Sequence, residues 1–206
     1  MSAASKRRAK AKNSFTCAAD TIGPVTRGMA LFALTRGQFS MIDMIQHVLA
    51  CVGPAAVSVW TWAIADYEVE VFEALLVDER ITGARLVVDY SASKRNTDLL
   101  TRWERRFGTG SVRVCKNHAK IARVWTADTR VLLRGSCNLN LNPRFEQIDV
   151  TEGGADFELV GEIEEAMKVL PLKQCSHADA QAASGLEDAF GEPVLAAFRG
   201  LPVWKP

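Results

Sequence analysis

The chain has 206 residues, of which 48% are hydrophobic, and a formal net charge of +1. That length can bury a full core in one domain, and the near-neutral balance excludes a global basic or acidic field, so any affinity for a polyanion must rest on local patches. Five scattered cysteines with no C-x-x-C pair and no histidine at ligand spacing argue against structural zinc, and they read as free thiols in a reducing, cytoplasmic setting.

Lys6, Arg7, Arg8, Lys10 and Lys12 put five positive charges into seven residues with no apolar run behind them, which is not a secretory signal. Residues 1–24 are expected to be a basic, disordered tail, either a phosphate-contacting arm or a solubilising end. Residues 28–35 suit a buried strand. Residues 39–51 suit a helix with Ile42, Ile45, Val48 and Leu49 on its apolar face, ended by Gly53 and Pro54. A Val- and Trp-rich strand follows over residues 55–63. Residues 48–65 carry no formal charge over eighteen positions, the short end for a membrane span, but the Gly53-Pro54 break and the alternation after it argue against a stable one.

Asp66 is placed to cap a helix running to about residue 79, with Val69, Phe72, Leu75 and Leu76 on one face. Residues 84–89 (ARLVVD) form a continuous apolar strand. Residues 93–106 form an amphipathic helix that carries Lys94, Arg95, Arg102, Arg105 and Arg106, and a further strand starts at Ser111. Strand, helix, strand, helix, strand at this spacing predicts a right-handed parallel α/β unit. The basic helix offers either a solvated face or a groove that tracks a phosphate backbone. Residues 157–170 predict another helix, acidic at Glu158, Glu162, Glu164 and Glu165, with Val160, Ile163, Met167 and Leu170 inward. Nothing catalytic is visible there. Residues 176–206 are an Ala-, Gly- and Pro-rich extension, and neither its His177 nor the earlier His47 belongs to a motif.

The chemistry gathers in residues 111–150. Val112 and Val114 alternate towards His118-Ala119-Lys120, the pattern continues to Trp125, breaks at Thr126-Ala127-Asp128-Thr129, and resumes from Val131 to Leu133 before Gly135-Ser136-Cys137-Asn138. This reads as a hairpin. On a strand of period two His118 and Lys120 share a face, as do Ser136 and Asn138, and the simplest register makes the two faces one. Lys120 offers charge, Asn138 an amide donor, Ser136 a hydroxyl donor and Gly135 a close backbone approach, a set that suits a phosphate. His118 remains to attack phosphorus and form a phosphohistidine, with Glu146 as the carboxylate that orients the ring.

His118-x-Lys120 followed by Gly135-Ser136-x-Asn138, with Phe145-Glu146 beyond, resembles the signature of the phospholipase D superfamily, which contains nucleases, phospholipases, phospholipid synthases and one type of restriction endonuclease. The resemblance covers about residues 55–150. It implies an α/β fold with a mixed, largely parallel sheet flanked by helices, the catalytic domain spanning residues 25–175. Two departures stand out: the fourteen residues between Lys120 and Gly135 exceed the family interval, and Trp125 stands where the family carries an Asp. Asp128, in the turn, is the candidate counterpart.

What the resemblance implies is a metal-independent phosphodiesterase without a cofactor, with His118, Lys120, Ser136, Asn138 and Glu146 as its catalytic set. The family pairs two His-Lys-Asn sets and this chain holds one, so a symmetric homodimer sharing one site is expected, with Trp125 and Leu139 as candidate contacts. Small size and the basic segments at residues 6–12 and 94–106 favour a nuclease acting on DNA or RNA. The alternatives are a phospholipid phosphodiesterase or transphosphatidylase, and an inactive nucleic-acid-binding module of the same fold.

Overall fold

Apolar alternation and short turns divide the chain into eight strands and seven helices among the described residues, which in this computed structural model are 10–185 apart from 15, 142 and 174. In chain order they are β1 (Lys10–Asn13), α1 (Ala18–Ile22), β2 (Ala30–Thr35), α2 (Met41–Val52), β3 (Ala55–Thr61), α3 (Asp66–Val77), β4 (Ile81–Asp89), α4 (Tyr90–Arg95), α5 (Thr97–Phe107), β5 (Val112–Cys115), β6 (Lys120–Trp125), β7 (Arg130–Gly135), β8 (Glu146–Glu152), α6 (Ala155–Ala166) and α7 (His177–Ala183). The strands form one sheet in the order β1-β2-β8-β7-β6-β3-β4-β5. β3, β4 and β5 pair in parallel, as the strand-helix-strand pattern predicts, and β6, β7 and β8 form an antiparallel meander beside them. Six of the eight strands run one way and β6 and β8 run the other, so the sheet is mixed, with three parallel and four antiparallel pairings.

The period of two separates the faces of this sheet. Val57, Val59, Leu86, Val88, Ala122, Val124, Leu133 and Ile148 turn to one side and join the main core with Met44 and Ile45 of α2, Phe72 of α3 and Trp103 of α5. Phe72 and Trp103 meet at 5.1 Å between ring centroids, a tilted pair worth about 0.5–1.5 kcal/mol beyond its buried area. The opposite side is polar: Ser58, Arg85 and Arg123 lie in one row across β4, β3 and β6.

That row explains a correction in α6. Glu164, grouped by sequence with an acidic helix surface, is fully buried, whereas Ile163 is exposed. Its carboxylate accepts hydrogen bonds from the Ser58 hydroxyl, from Trp60 Nε1 at 2.7 Å and from Arg123 Nη1 at 2.9 Å, and pairs with Arg85 at 3.4 Å. The helix sits over guanidinium groups, so the face it turns inward must carry the complementary charge. Gly161 makes room for this: a Cβ there would lie 2.5 Å from Arg123 Nη2.

Other boundaries also differ from expectation. β2 starts at Ala30 and exposes Phe32 and Leu34 on alternate positions, so it is half buried. Ala65 is the cap of α3, its N–H donating to the Glu68 carboxylate at 2.7 Å, and Asp66 instead pairs with Arg102 at 2.8 Å. The basic helix is broken at Asn96, whose amide donates to the Ile64 carbonyl at 2.8 Å. Residues assigned to a disordered tail are structured from Lys10: β1 pairs with β2, and Lys12 Nζ donates to the Thr21 carbonyl at 2.7 Å near the end of α1. Lys6, Arg7 and Arg8 lie outside the described residues, as do residues 186–206 of the extension. The uncharged stretch 48–65 divides into the end of α2, a turn at Gly53 and β3, and no helix among the described residues is long and apolar enough to cross a membrane.

Candidate active site

The carboxyl ends of the six co-directional strands and the amino ends of β6 and β8 share one edge of the sheet. Such an edge is where open α/β sheets place their ligand crevices. β5 ends at Cys115 on the margin of the sheet, and the chain then passes β4 and β3 before starting β6 at Lys120. His118 therefore lies on this crossover and not on a pleated strand, so the shared-face argument for His118 and Lys120 fails. Their proximity comes from the loop.

Asn117 shapes that loop and was not singled out in the sequence; an Asn between two apolar runs gives no signal beyond turn propensity. It is buried, its N–H donates to the Asp89 carboxylate at 3.1 Å and its Nδ2 to the Thr61 carbonyl at 3.1 Å, which ties the crossover to the ends of β4 and β3. Its Oδ1 accepts from the Ala119 N–H at 2.9 Å. His118 is left exposed, with the Trp62 ring at 6.2 Å.

Lys120 opens β6 opposite Gly135. Its ammonium donates to the His118 carbonyl at 2.8 Å and stands 3.4 Å from each ring nitrogen. Burial lowers the Lys120 pKa, and the negative charge of Glu146 works against that shift. Glu146 accepts a hydrogen bond from the Ser136 hydroxyl, and the Ser136 oxygen accepts from the Gln147 N–H at 3.0 Å. Imidazole and ammonium thus form one contacting pair and carboxylate and hydroxyl another, with the charge of Glu146 acting on Lys120 between them. In this arrangement the Ser136 hydroxyl donates its hydrogen bond to the Glu146 carboxylate.

The register explains why. Lys120 faces Gly135, so Ser136 would fall on the other face if β7 continued, but the strand ends at Gly135 and releases it towards β8. The close approach at Gly135 is to β8 itself: a Cβ there would lie 2.2 Å from the Gln147 carbonyl oxygen. Asn138 lies in the following loop, where its backbone carbonyl accepts from the Met41 N–H at 3.1 Å and its buried Oδ1 has no hydrogen-bond partner. Between them, burial pushes the Cys137 thiol up to about 12, which leaves it protonated and unreactive near neutral pH.

Asp128 sits in the turn at the far end of the hairpin, three residues beyond Trp125, roughly 17 Å or more from Lys120 along a six-residue strand. Trp125 packs on Phe157 at 6.2 Å and under Arg123 at 4.8 Å, and Leu139 is buried, so the two residues named as dimer contacts are engaged within the chain. His47 is likewise occupied, its Nε2 lying 2.7 Å from the Gly23 carbonyl.

The structure divides the basic helix. Arg102 turns to Glu73 and Asp66, whereas Lys94 and Arg95 belong to α4, beside the site. Arg95 lies over Trp62 at 5.5 Å, and Lys94 and Lys116 each approach the Tyr90 ring at 5.3 Å. Phe145, 69% exposed, and Leu141 are exposed in the loop before β8. Among the described residues no group of three His, Cys, Asp or Glu side chains could hold a metal ion.

No protein-family model matches the chain, and no curated protein matches it. Solved structures similar to it include phosphatidylserine synthase from Haemophilus influenzae Rd KW20, at 14% identity and a TM-score of 0.47, and polyphosphate kinase from Porphyromonas gingivalis, at 15% and 0.44. The first match covers 83% of this chain and 46% of the synthase; the second covers 66% of this chain and 25% of the kinase. The chain therefore spans about half the length of one and a quarter of the other.

Proposed function

We propose that the chain is a phosphodiesterase of the phospholipase D type that cleaves DNA or RNA without a metal ion, through a phosphohistidine on His118, in a site completed by a second copy. The observation that carries this reading is the Lys120 ammonium, 3.4 Å from both ring nitrogens of His118 at the carboxyl edge of the sheet. An imidazole nitrogen attacks phosphorus, the bond to the leaving oxygen breaks, and that oxygen takes a proton from the imidazole of the second copy. Water, giving its proton to that same imidazole, then attacks the phosphohistidine and frees His118. Lys120 and the Asn138 amide stabilise the charge on the phosphoryl oxygens, while Glu146, hydrogen-bonded by Ser136, attracts the Lys120 ammonium.

Support for a nucleic acid comes from the aromatic and basic side chains beside His118. Trp62 offers a ring for a base, and Arg95, Lys94 and Lys116 offer charge for a backbone. Support for two copies comes from His118 being the one imidazole in contact with Lys120 among the described residues, His177 packing instead on the Tyr90 ring at 5.6 Å, and from exposed apolar side chains, Leu141 and Phe145, in the loop after Asn138. The same two side chains are the observation in favour of a phospholipid substrate. Incubation with single-stranded DNA, RNA and phosphatidylcholine vesicles in excess EDTA tests the reading. Nucleic-acid cleavage that survives chelation and disappears in His118→Ala is expected. A requirement for magnesium, or turnover of the lipid alone, would overturn it. Mixing His118→Ala with wild-type chain should depress the wild-type rate if sites are shared.

A further inference from the structure

The polar side of the sheet carries a second concave site, at the amino-terminal edge of β3, β4 and β5, roughly 20 Å along β4 from the His118 edge. The cleft is an open groove of about 400 Å³. Arg85, Ser111 and Arg113 bring polar groups to it, and Phe107, Trp125 and Ala56 bring apolar wall. Arg113 faces Val87 across β5 and β4, so Arg113 and Arg85 turn to the same side of the sheet, and Ser111 lies just before β5 begins.

Two buried groups there lack partners. Ser111 and Arg113 are each only 9% exposed, yet Ser111 Oγ and Arg113 Nε have no hydrogen-bond partner. The Arg113 guanidinium donates only to the Gly110 carbonyl. The nearby carboxylates are engaged elsewhere: Glu164 and Glu165 pair with Arg85, and Glu104 accepts from the Gly110 N–H at 3.0 Å. Burial first and the neighbouring Arg85 second lower the Arg113 pKa, and the charges of Glu165, Glu164 and Glu104 work against that shift. Among the described residues no carboxylate contacts the Arg113 guanidinium directly, which leaves it a donor for an anion in the cleft. The floor is also open: Gly83 adjoins a β-bulge, where the β3–β4 register shifts between Ala55 and Ala56, and a Cβ there would meet nothing within 4 Å.

We propose that this cleft binds a phosphate monoester carried on a planar ring, the chemistry of a nucleoside monophosphate. The Arg113 fork and the Ser111 hydroxyl take the phosphate, Arg85 adds charge, and Phe107 and Trp125 flank the ring. The site is separate from His118 and does not depend on what His118 does.

Calorimetric titration of the full chain with adenosine monophosphate, adenosine and inorganic phosphate tests it. One site for the nucleotide is expected, with adenosine and phosphate each at least about tenfold weaker, roughly one hydrogen-bonded charge contact apiece. Arg113→Gln should weaken nucleotide binding by about tenfold or more. Gly83→Leu, which fills open space, should abolish it at an unchanged melting temperature, and His118→Ala should leave it intact. The proposal is overturned if the wild-type chain does not bind the nucleotide, if inorganic phosphate binds equally well, if both cleft variants bind normally, or if binding is lost in His118→Ala.

Discussion

The Lys120 ammonium touches His118 twice over, donating to its backbone carbonyl at 2.8 Å while standing 3.4 Å from both ring nitrogens. The same ammonium thus positions the loop and faces the reacting group. Lys120→Ala and Asn138→Ala should each reduce the rate by about 10²–10³, the usual effect of removing one preorganised donor. Rates near wild type in both would place the chemistry elsewhere.

Burial lowers the Lys120 pKa, with a definite sign for pH dependence. Between its folded and unfolded pKa values the unfolded chain binds more protons, so the charged lysine subtracts from stability at neutral pH and the cost fades as pH rises through the folded value. If the ammonium is needed for turnover, the alkaline limb of the rate profile should fall below the ordinary lysine range near about 10.4. Lys120→Arg should retain some activity and move that limb upward. Identical limbs in the two proteins would assign it to another group.

Gly135→Ala should damage both fold and site. Its Cβ would lie 2.2 Å from the Gln147 carbonyl oxygen, so β8 must shift, and with it the Ser136–Glu146 hydrogen bond. A loss of about 1–3 kcal/mol on denaturation is expected, the range for overpacking, together with a reduced rate. An unchanged melting curve would contradict the register given for β7 and β8.

Glu164 anchors α6 to the polar side of the sheet. Glu164→Gln leaves Arg123 buried without its carboxylate and should cost about 3–5 kcal/mol in urea denaturation. Glu164→Leu combined with Arg123→Met should recover most of that loss, because the desolvation cost goes with both charges. A double variant no more stable than Glu164→Gln would assign the effect to packing.

Trp62, Lys94 and Lys116 should act on binding more than on turnover. Trp62→Ala is expected to weaken single-stranded DNA binding by about 1–3 kcal/mol, the value of one base-aromatic stack. Lys94→Gln and Lys116→Gln should each lower the slope of log K against log salt by about 0.7. Unchanged slopes would remove these side chains from the nucleic-acid path.

Much of this was legible in the sequence wherever the pattern is local. The parallel unit of β3, β4 and β5 follows from apolar runs spaced by amphipathic helices, and the β6–β7 hairpin from an alternation broken at Thr126-Ala127-Asp128-Thr129. The break between Val114 and Lys120 was not legible. No glycine or proline interrupts Lys116-Asn117-His118-Ala119, and nothing local records that the chain leaves the margin of the sheet for its middle. Ser136 and Glu146 meet through the pairing of β7 with β8, which a period of two does not fix. Glu164 looks like its acidic neighbours until β4 and β6 bring Arg85 and Arg123 beneath it.

The most direct test of the mechanism is mass spectrometry of the peptide containing His118 after alkaline quenching of the chain during turnover of a short single-stranded oligonucleotide in EDTA. Alkali preserves a phosphoramidate on histidine. A mass increase equal to the phosphoryl-linked half of the substrate, located on His118 and absent from His118→Asn, is the predicted result. An unmodified His118 peptide throughout turnover, with cleavage persisting in His118→Asn, would contradict a phosphohistidine on this residue.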